Sequence, residues 1–184
     1  MIIAGIVIGI VLILVLMYNG LINKKNQVDN SFGGMDVQLK KRYDLIPNLI
    51  SAVKTYMKHE ADTLTEITEL RTKALTGGIS DNEKVELDNK ITSHLSGIMV
   101  AVENYPDLKA SDNFIQLQRS LNEVEEQISA SRRSYNATVT DYNNGVEMFP
   151  TNLIAGMMSF KRKNVFEIPD VQRENVDVEN LFNN

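Results

Sequence analysis

Apolar residues fall into two rhythms along this chain. Met1 to Tyr18 reads MIIAGIVIGIVLILVLMY, and no charged side chain appears before Lys24. From Val28 onward the apolar positions recur every three or four residues, the spacing of one helix face. The first stripe is Val28, Phe32, Met35, Leu39, Tyr43 and Ile46, interrupted by Gly33-Gly34, a pairing found at helix kinks. Pro47 disfavours helical geometry at Ile46 and is tolerated in a first turn, so it should end this helix or begin the next, with Asp44 as N-cap. The second stripe runs Ile46, Ile50, Val53, Met57, Leu64, Ile67 and Ala74, stopping at Gly77-Gly78. Ser80-Asp-Asn-Glu83 has the spacing of a capping box. Leu87, Ile91, Leu95, Ile98, Val102 and Tyr105 form a third stripe, closed by Pro106. Ser111 or Asp112 caps a fourth, which runs from Phe114 through Leu117, Leu121, Val124, Ile128, Tyr135, Val139 and Tyr142 to Val146.

No window alternates apolar and polar residues as a strand would, so the fold class is all-α. Short loops at 44–47, 77–80 and 106–111 make sequential helices antiparallel neighbours. The pattern predicts an N-terminal transmembrane helix followed by an antiparallel up-and-down four-helix bundle. The stripes are narrow and the opposite faces mix acids with bases, unlike the mainly basic polar face of helices that lie on a membrane.

The apolar run changes the picture from a soluble bundle to an anchored one. As a helix, Ile2 to Ile22 spans roughly 31 Å, about one hydrocarbon core, and in lipid a lone segment satisfies its backbone only as a helix. A cleavable signal peptide would carry a basic start and a small-x-small site; this run ends in Met17-Tyr18-Asn19-Gly20, with Tyr18 suited to the membrane edge. Lys24, Lys25, Lys40, Lys41 and Arg42 follow the run and no cation precedes it, which predicts an outer N-terminus and a cytoplasmic C-terminal domain in a cell membrane.

Four segments result: an anchor at 1–22, a bundle at 23–149, an apolar and basic segment at 150–163, and an acidic mobile tail at 164–184. The end of the fourth helix should return to the bilayer. The stretch from Val146 to Phe160 is apolar and is followed by Lys161-Arg162-Lys163. It either docks on anionic lipid, with Lys24, Lys25, Lys161, Arg162 and Lys163 as lipid contacts, or packs over the open end of the bundle.

Composition narrows the chemistry. A formal net charge of -5 argues against nucleic acid as a partner. With no cysteine there is no disulfide, iron–sulfur cluster or thiol nucleophile, which suits a reducing compartment. A di-iron bundle needs Glu-x-x-His twice, but Tyr56 stands three before His59 and Ile91 three before His94. His59-Glu60 lacks the second histidine of a zinc-protease helix, and neither Gly33-Gly34 nor Gly77-Gly78 has the setting of a phosphate-binding loop. The sequence therefore nominates no catalytic residue, metal or cofactor.

Several blocks together resemble the LemA family. They are Tyr18-Asn-x-Leu21, Asp36-Val-Gln-Leu-Lys-Lys-Arg-Tyr-Asp-Leu-Ile-Pro-Asn-Leu49, Tyr56-x-x-His59-Glu60, Tyr105-Pro-Asp-Leu-Lys-Ala110, Asn113-Phe114, Leu117-Gln118, Arg133-x-Tyr-Asn136, Tyr142-Asn143 and Phe149-Pro-Thr-Asn-Leu-Ile-Ala155. They cover roughly residues 15 to 160 in the family's order and spacing, departing at Gly33-Gly34 in the first helix. The resemblance implies a bacterial or archaeal membrane protein with one N-terminal span and a helical-bundle domain, and it supplies no reaction.

Polar residues on or beside the apolar stripes are the remaining candidates. Glu60 falls between Met57 and Leu64, and Arg71 between Ile67 and Ala74. A buried carboxylate needs a cation or several donors; His59, Arg42, Arg132 and Arg133 are available. Tyr135-Asn136 and Tyr142-Asn143 stand seven apart and face the same way. Asn48, His59, Glu60, Arg71, Tyr135, Asn136, Tyr142 and Asn143 therefore form a candidate polar layer, either a hydrogen-bonded core layer that fixes helix register or a pocket.

The first option goes with a non-enzymatic, membrane-anchored scaffold whose partners are the lipid bilayer, other membrane proteins or copies of itself. Tethering would favour such lateral contacts, and Gly5 and Gly9 offer a small-xxx-small pair in the span. The second goes with a ligand-binding receptor or an enzyme that uses an inter-helix pocket around Glu60.

Overall fold

In the computed structural model the chain is all-helical, and residues 1–166 are described. Residues 167–184, most of the expected acidic tail, lie outside the described residues. The first helix, α1 (Ile2–Val53), runs for 52 residues, about 78 Å at ~1.5 Å per residue. Its first third buries almost nothing: Ile2, Ile6, Ile10, Leu14 and Leu16 are all exposed, and this stretch is long and apolar enough to cross a membrane. From Leu21 the character changes, and Leu21, Val28, Phe32, Met35, Leu39, Tyr43, Ile46, Leu49 and Val53 are buried.

The break expected at 44–47 is not there. α1 continues through Pro47, and the connection to the next helix is the turn at residues 54–60. Asp44 is not a cap; it sits inside α1, 2.8 Å from Lys40 one turn earlier. A proline inside a helix removes one hydrogen bond, here the one to the carbonyl of Tyr43. That carbonyl instead accepts from Arg71 Nε at 2.7 Å. Ile46 and Leu49 on either side are fully buried, so breaking the helix would expose both. Gly33 and Gly34 also fall within α1, exposed and with open space around each.

The remaining helices are α2 (Ala61–Leu75), α3 (Asp81–Val102), α4 (Pro106–Lys109), α5 (Asp112–Glu147) and α6 (Thr151–Met157). The capping box forms as its spacing predicts: Glu83 N–H donates to Ser80 Oγ at 3.3 Å and Ser80 N–H donates to Glu83 Oε2 at 2.8 Å. Ser111 caps α5 by accepting from Phe114 N–H. Pro106 closes the third stripe and also opens the one-turn α4.

The interhelix contacts have a definite order. α1 packs most extensively on α5, where Lys24 meets Asp141, Ser31 meets Thr138 and Arg42 meets Glu125. Against α3 the numbers rise together, Asp36 to Lys84 and Arg42 to Thr92. Between α2 and the α3 end, His94 faces Glu66 and Tyr105 faces Glu60. One continuous core unites these helices.

A second, smaller cluster sits where the apolar run ends, formed by Leu21, Ile154 and Ala155 with Met17, Tyr18, Val146 and Phe160 around it. Gly145 permits the close approach there. A Cβ at that position would stand 3.1 Å from the Lys24 side chain and 3.2 Å from that of Leu21. Just past α6, Ser159 has a left-handed φ of 58°, and Phe160 N–H donates back to the Ala155 carbonyl at 2.9 Å. This turn sends residues 161–166 back along α5 as an extended strap.

Candidate functional site

The two Tyr-Asn pairs of α5 hold that strap. Asn143 donates from Nδ2 to the Lys163 carbonyl and accepts from the Lys163 N–H, both at 2.9 Å. Asn136 treats Phe166 the same way, donating to its carbonyl at 2.9 Å and accepting from its N–H at 2.7 Å. Tyr142 Oη donates to the Lys161 carbonyl at 3.0 Å and Tyr135 Oη to the Asn164 carbonyl at 3.3 Å.

The register has a simple cause. Seven residues of helix rise about 10.5 Å, and three residues of extended chain cover about 10 Å. Side chains at 136 and 143 therefore fall opposite backbone units at 166 and 163. Each asparagine satisfies both polar groups of one peptide residue, as a neighbouring strand would. Phe166 anchors the end: it is buried, lies edge-on to Tyr135 with centroids 5.3 Å apart, and has the Arg132 guanidinium 5.8 Å from its ring. Burial, with Asp81 and Asp29 adding to it, pushes the Tyr135 hydroxyl up to about 12. Burial raises Tyr142 as well.

Beyond the end of the strap, where Arg132 lies against Phe166, is a second polar group that the apolar stripes conceal. Arg42 of α1 and Asp88 of α3 are fully buried and paired. Asp88 also pairs with Arg132 of α5, while Arg42 Nη1 reaches Glu125 Oε2 at 2.7 Å and Thr92 Oγ1 at 3.0 Å. Two guanidiniums thus meet two carboxylates across three helices. Burial draws both arginines below the ordinary arginine range, against the attraction of Glu125. The neighbouring Tyr43 is pushed up to about 12 by its own burial.

The eight nominated polar residues separate into four places. Tyr135, Asn136, Tyr142 and Asn143 form the clamp. Arg71 sits mid-bundle on the Tyr43 carbonyl. Glu60 is the N-cap residue of α2 rather than a position within a longer helix, and it accepts from the Tyr105 hydroxyl at 3.1 Å; loss of solvent, and then that contact, raise the Tyr105 hydroxyl. His59 stands exposed in the turn before it, and Asn48 is exposed on α1, beside a groove shared with Tyr56 and Ser111. Arg42, Arg132 and Arg133 do not partner Glu60; the first two belong to the buried ionic group.

Of the nominated cations, Lys24 is paired with Asp141, Arg162 with Glu147 at 3.0 Å and Lys163 with Asp29. Lys25 and Lys161 have no ion pair among the described residues. Nor do three His, Asp or Glu side chains come together there as a metal site would require. What the arrangement can do chemically is hold an extended polypeptide through its backbone. Asp88 is the residue that reading the stripes missed: it stands one position beyond Leu87, and its burial depends on arginines of two other helices.

The LemA family pattern matches residues 31–180. Protein LemA of Metamycoplasma hominis is 28% identical over 165 residues, covering 90% of this chain and 75% of that protein. Magnetosome protein MamQ 2 of Paramagnetospirillum magneticum is 22% identical, covering 88% of this chain and 68% of its own length. Magnetosome protein MamQ of Magnetospirillum gryphiswaldense is 21% identical, covering 83% and 65%. The chain belongs to the LemA family.

Proposed function

We propose that this LemA-family chain is a membrane-tethered helical scaffold that works by binding other proteins or copies of itself. The observation that carries this is the division of α1. Its first part presents apolar side chains with no protein cover, and its second part is the central seam of the core, with no interruption between them. An uncovered apolar helix of that length suits one bilayer crossing. The pairing order along α1, α2, α3 and α5 is that of an up-and-down four-helix bundle standing on the span. The cations that follow the run favour a cytoplasmic bundle. The polar groups near α5 are occupied in holding structure, which favours a binding role over a catalytic one. The names of its relatives specify no reaction.

The test is photo-crosslinking of the full chain in intact membranes from exposed α3 positions such as Val100, with protease accessibility measured on closed cells. Specific adducts, to itself or to a repeated set of membrane neighbours, together with a bundle protected from external protease, are the expected result. A strictly monomeric chain with no adducts, or a bundle digested from outside, overturns the reading.

A further inference from the structure

The segment from Met148 to Met158 has two faces. On one, Ile154 and Ala155 are 7% and 1% exposed against Leu21 of α1. On the other, Phe149, Leu153 and Met157 recur every four residues and are 79%, 60% and 84% exposed, with Met148 and Met158 beside them also uncovered. Side chains of this kind in solution would be a costly patch on a small domain. Their position gives the reason. α6 packs on Met17, Tyr18 and Leu21, the last turn of the apolar run, and the Phe160 ring lies tilted beside that of Tyr18 with centroids 6.2 Å apart. The first charge on α1, Lys24, comes less than one turn later.

We infer that α6 is a second membrane contact, a short helix lying in the headgroup region with Phe149, Leu153 and Met157 inserted at the edge of the hydrocarbon. The inference rests on α1 crossing the bilayer, since that crossing sets α6 at the lipid boundary. α6 packs on the last turn of the apolar run, which sets its exposed apolar face beside the uncovered side chains of the span, so the occupant is lipid rather than a protein groove. The contact is apolar rather than ionic. Lys24, Arg162 and Lys163 are each paired with a carboxylate of the protein, which leaves Lys25 and Lys161 as the nominated cations without an ion pair among the described residues, so the apolar face rather than a cluster of free cations carries the insertion. This differs from a polybasic dock, which would lose its hold in neutral membranes.

The chain has no tryptophan, so a single introduced indole is a clean reporter. Full-length Leu153→Trp, Leu12→Trp and Val100→Trp are reconstituted separately in nanodiscs of pure phosphatidylcholine, with and without bromine on the acyl chains. Val100 is 72% exposed on α3, beyond the Arg42–Thr92 contact and far from the anchor. Leu153→Trp is expected to emit blue-shifted light and to lose most of its intensity to shallow bromines, Leu12→Trp to deep ones, and Val100→Trp to neither. Quenching of Leu12→Trp without quenching of Leu153→Trp overturns the α6 contact and leaves the span intact. Failure of both overturns the span and α6 with it. Quenching of Leu153→Trp that appears only when phosphatidylglycerol is added overturns the apolar mode of docking.

Discussion

Arg71 supplies from α2 the hydrogen bond that Pro47 withholds inside α1. Its Nε donates to the Tyr43 carbonyl at 2.7 Å, the oxygen that would otherwise accept from residue 47. A carbonyl left open in a half-buried seam costs about 1–2 kcal/mol. Arg71→Ala should therefore lose about that much in urea unfolding of the full chain in detergent. In a Pro47→Ala background, where the helix makes its own bond, the loss should shrink. Equal losses in both backgrounds would mean that Arg71 acts elsewhere.

Asp88 lies between Arg42 and Arg132 with no exposure of its own. Its removal leaves a buried guanidinium short of charge, which typically costs about 3–5 kcal/mol. Asp88→Leu should destabilise by about that amount, and adding Arg42→Met should recover a large part, because an apolar pair of similar volume is often tolerated where a broken ion pair is not. Denaturant midpoints of the two variants and the parent decide this; no recovery in the double variant would count against a charge-driven loss.

Releasing the strap should be a local event. Asn143→Ala removes both hydrogen bonds to Lys163, so amide exchange at residue 163 should accelerate while the α5 amides keep their protection. Asn143→Asp keeps an acceptor for the N–H but sets a carboxylate against the Lys163 carbonyl, and should release the strap as well. Unchanged exchange at 163 in both variants would show that the contacts of Tyr135, Asn136, Tyr142 and Phe166 hold the segment without Asn143.

Alkaline pH should weaken the fold through two tyrosines. Tyr43 and Tyr135, both raised by burial to about 12, hold their protons more tightly folded than unfolded, where a tyrosine ionises near 10. Their stabilising contribution is complete below pH ~10 and is lost as the pH climbs toward 12. Ultraviolet titration should show a late tyrosinate phase that Tyr43→Phe diminishes. A single early phase in folded protein would contradict the burial of both hydroxyls.

Much of the helical core was legible from spacing, because Phe32, Met35, Leu39, Ile67, Ile91, Ile98 and Ile128 repeat at helical intervals and are buried. The boundary between the first two stripes was not. A local reading charges Pro47 its full cost, whereas the partner that offsets it lies on another helix. The seven-residue recurrence of Tyr-Asn marked one face of α5 correctly, yet what that face holds is backbone at 161–166, and backbone carbonyls leave no signature in a sequence. Asp88 reads as one more acid in a charged stretch, and only the convergence of Arg42 and Arg132 explains its burial. Glu60 looked like a seam residue because Met57, Glu60 and Leu64 stand three and four apart in sequence, although Met57 lies in the turn and Leu64 in α2.

Since α1 has no joint between its apolar third and its far end, the proposed crossing would make it a lever. From Ile22 to Val53 it rises about 47 Å, so inclining the embedded portion by about 20° swings the distal tip sideways by ~16 Å. Thickness or crowding of the surrounding lipid would thus be converted into lateral reach at the opposite pole, where Tyr105 and Glu60 meet.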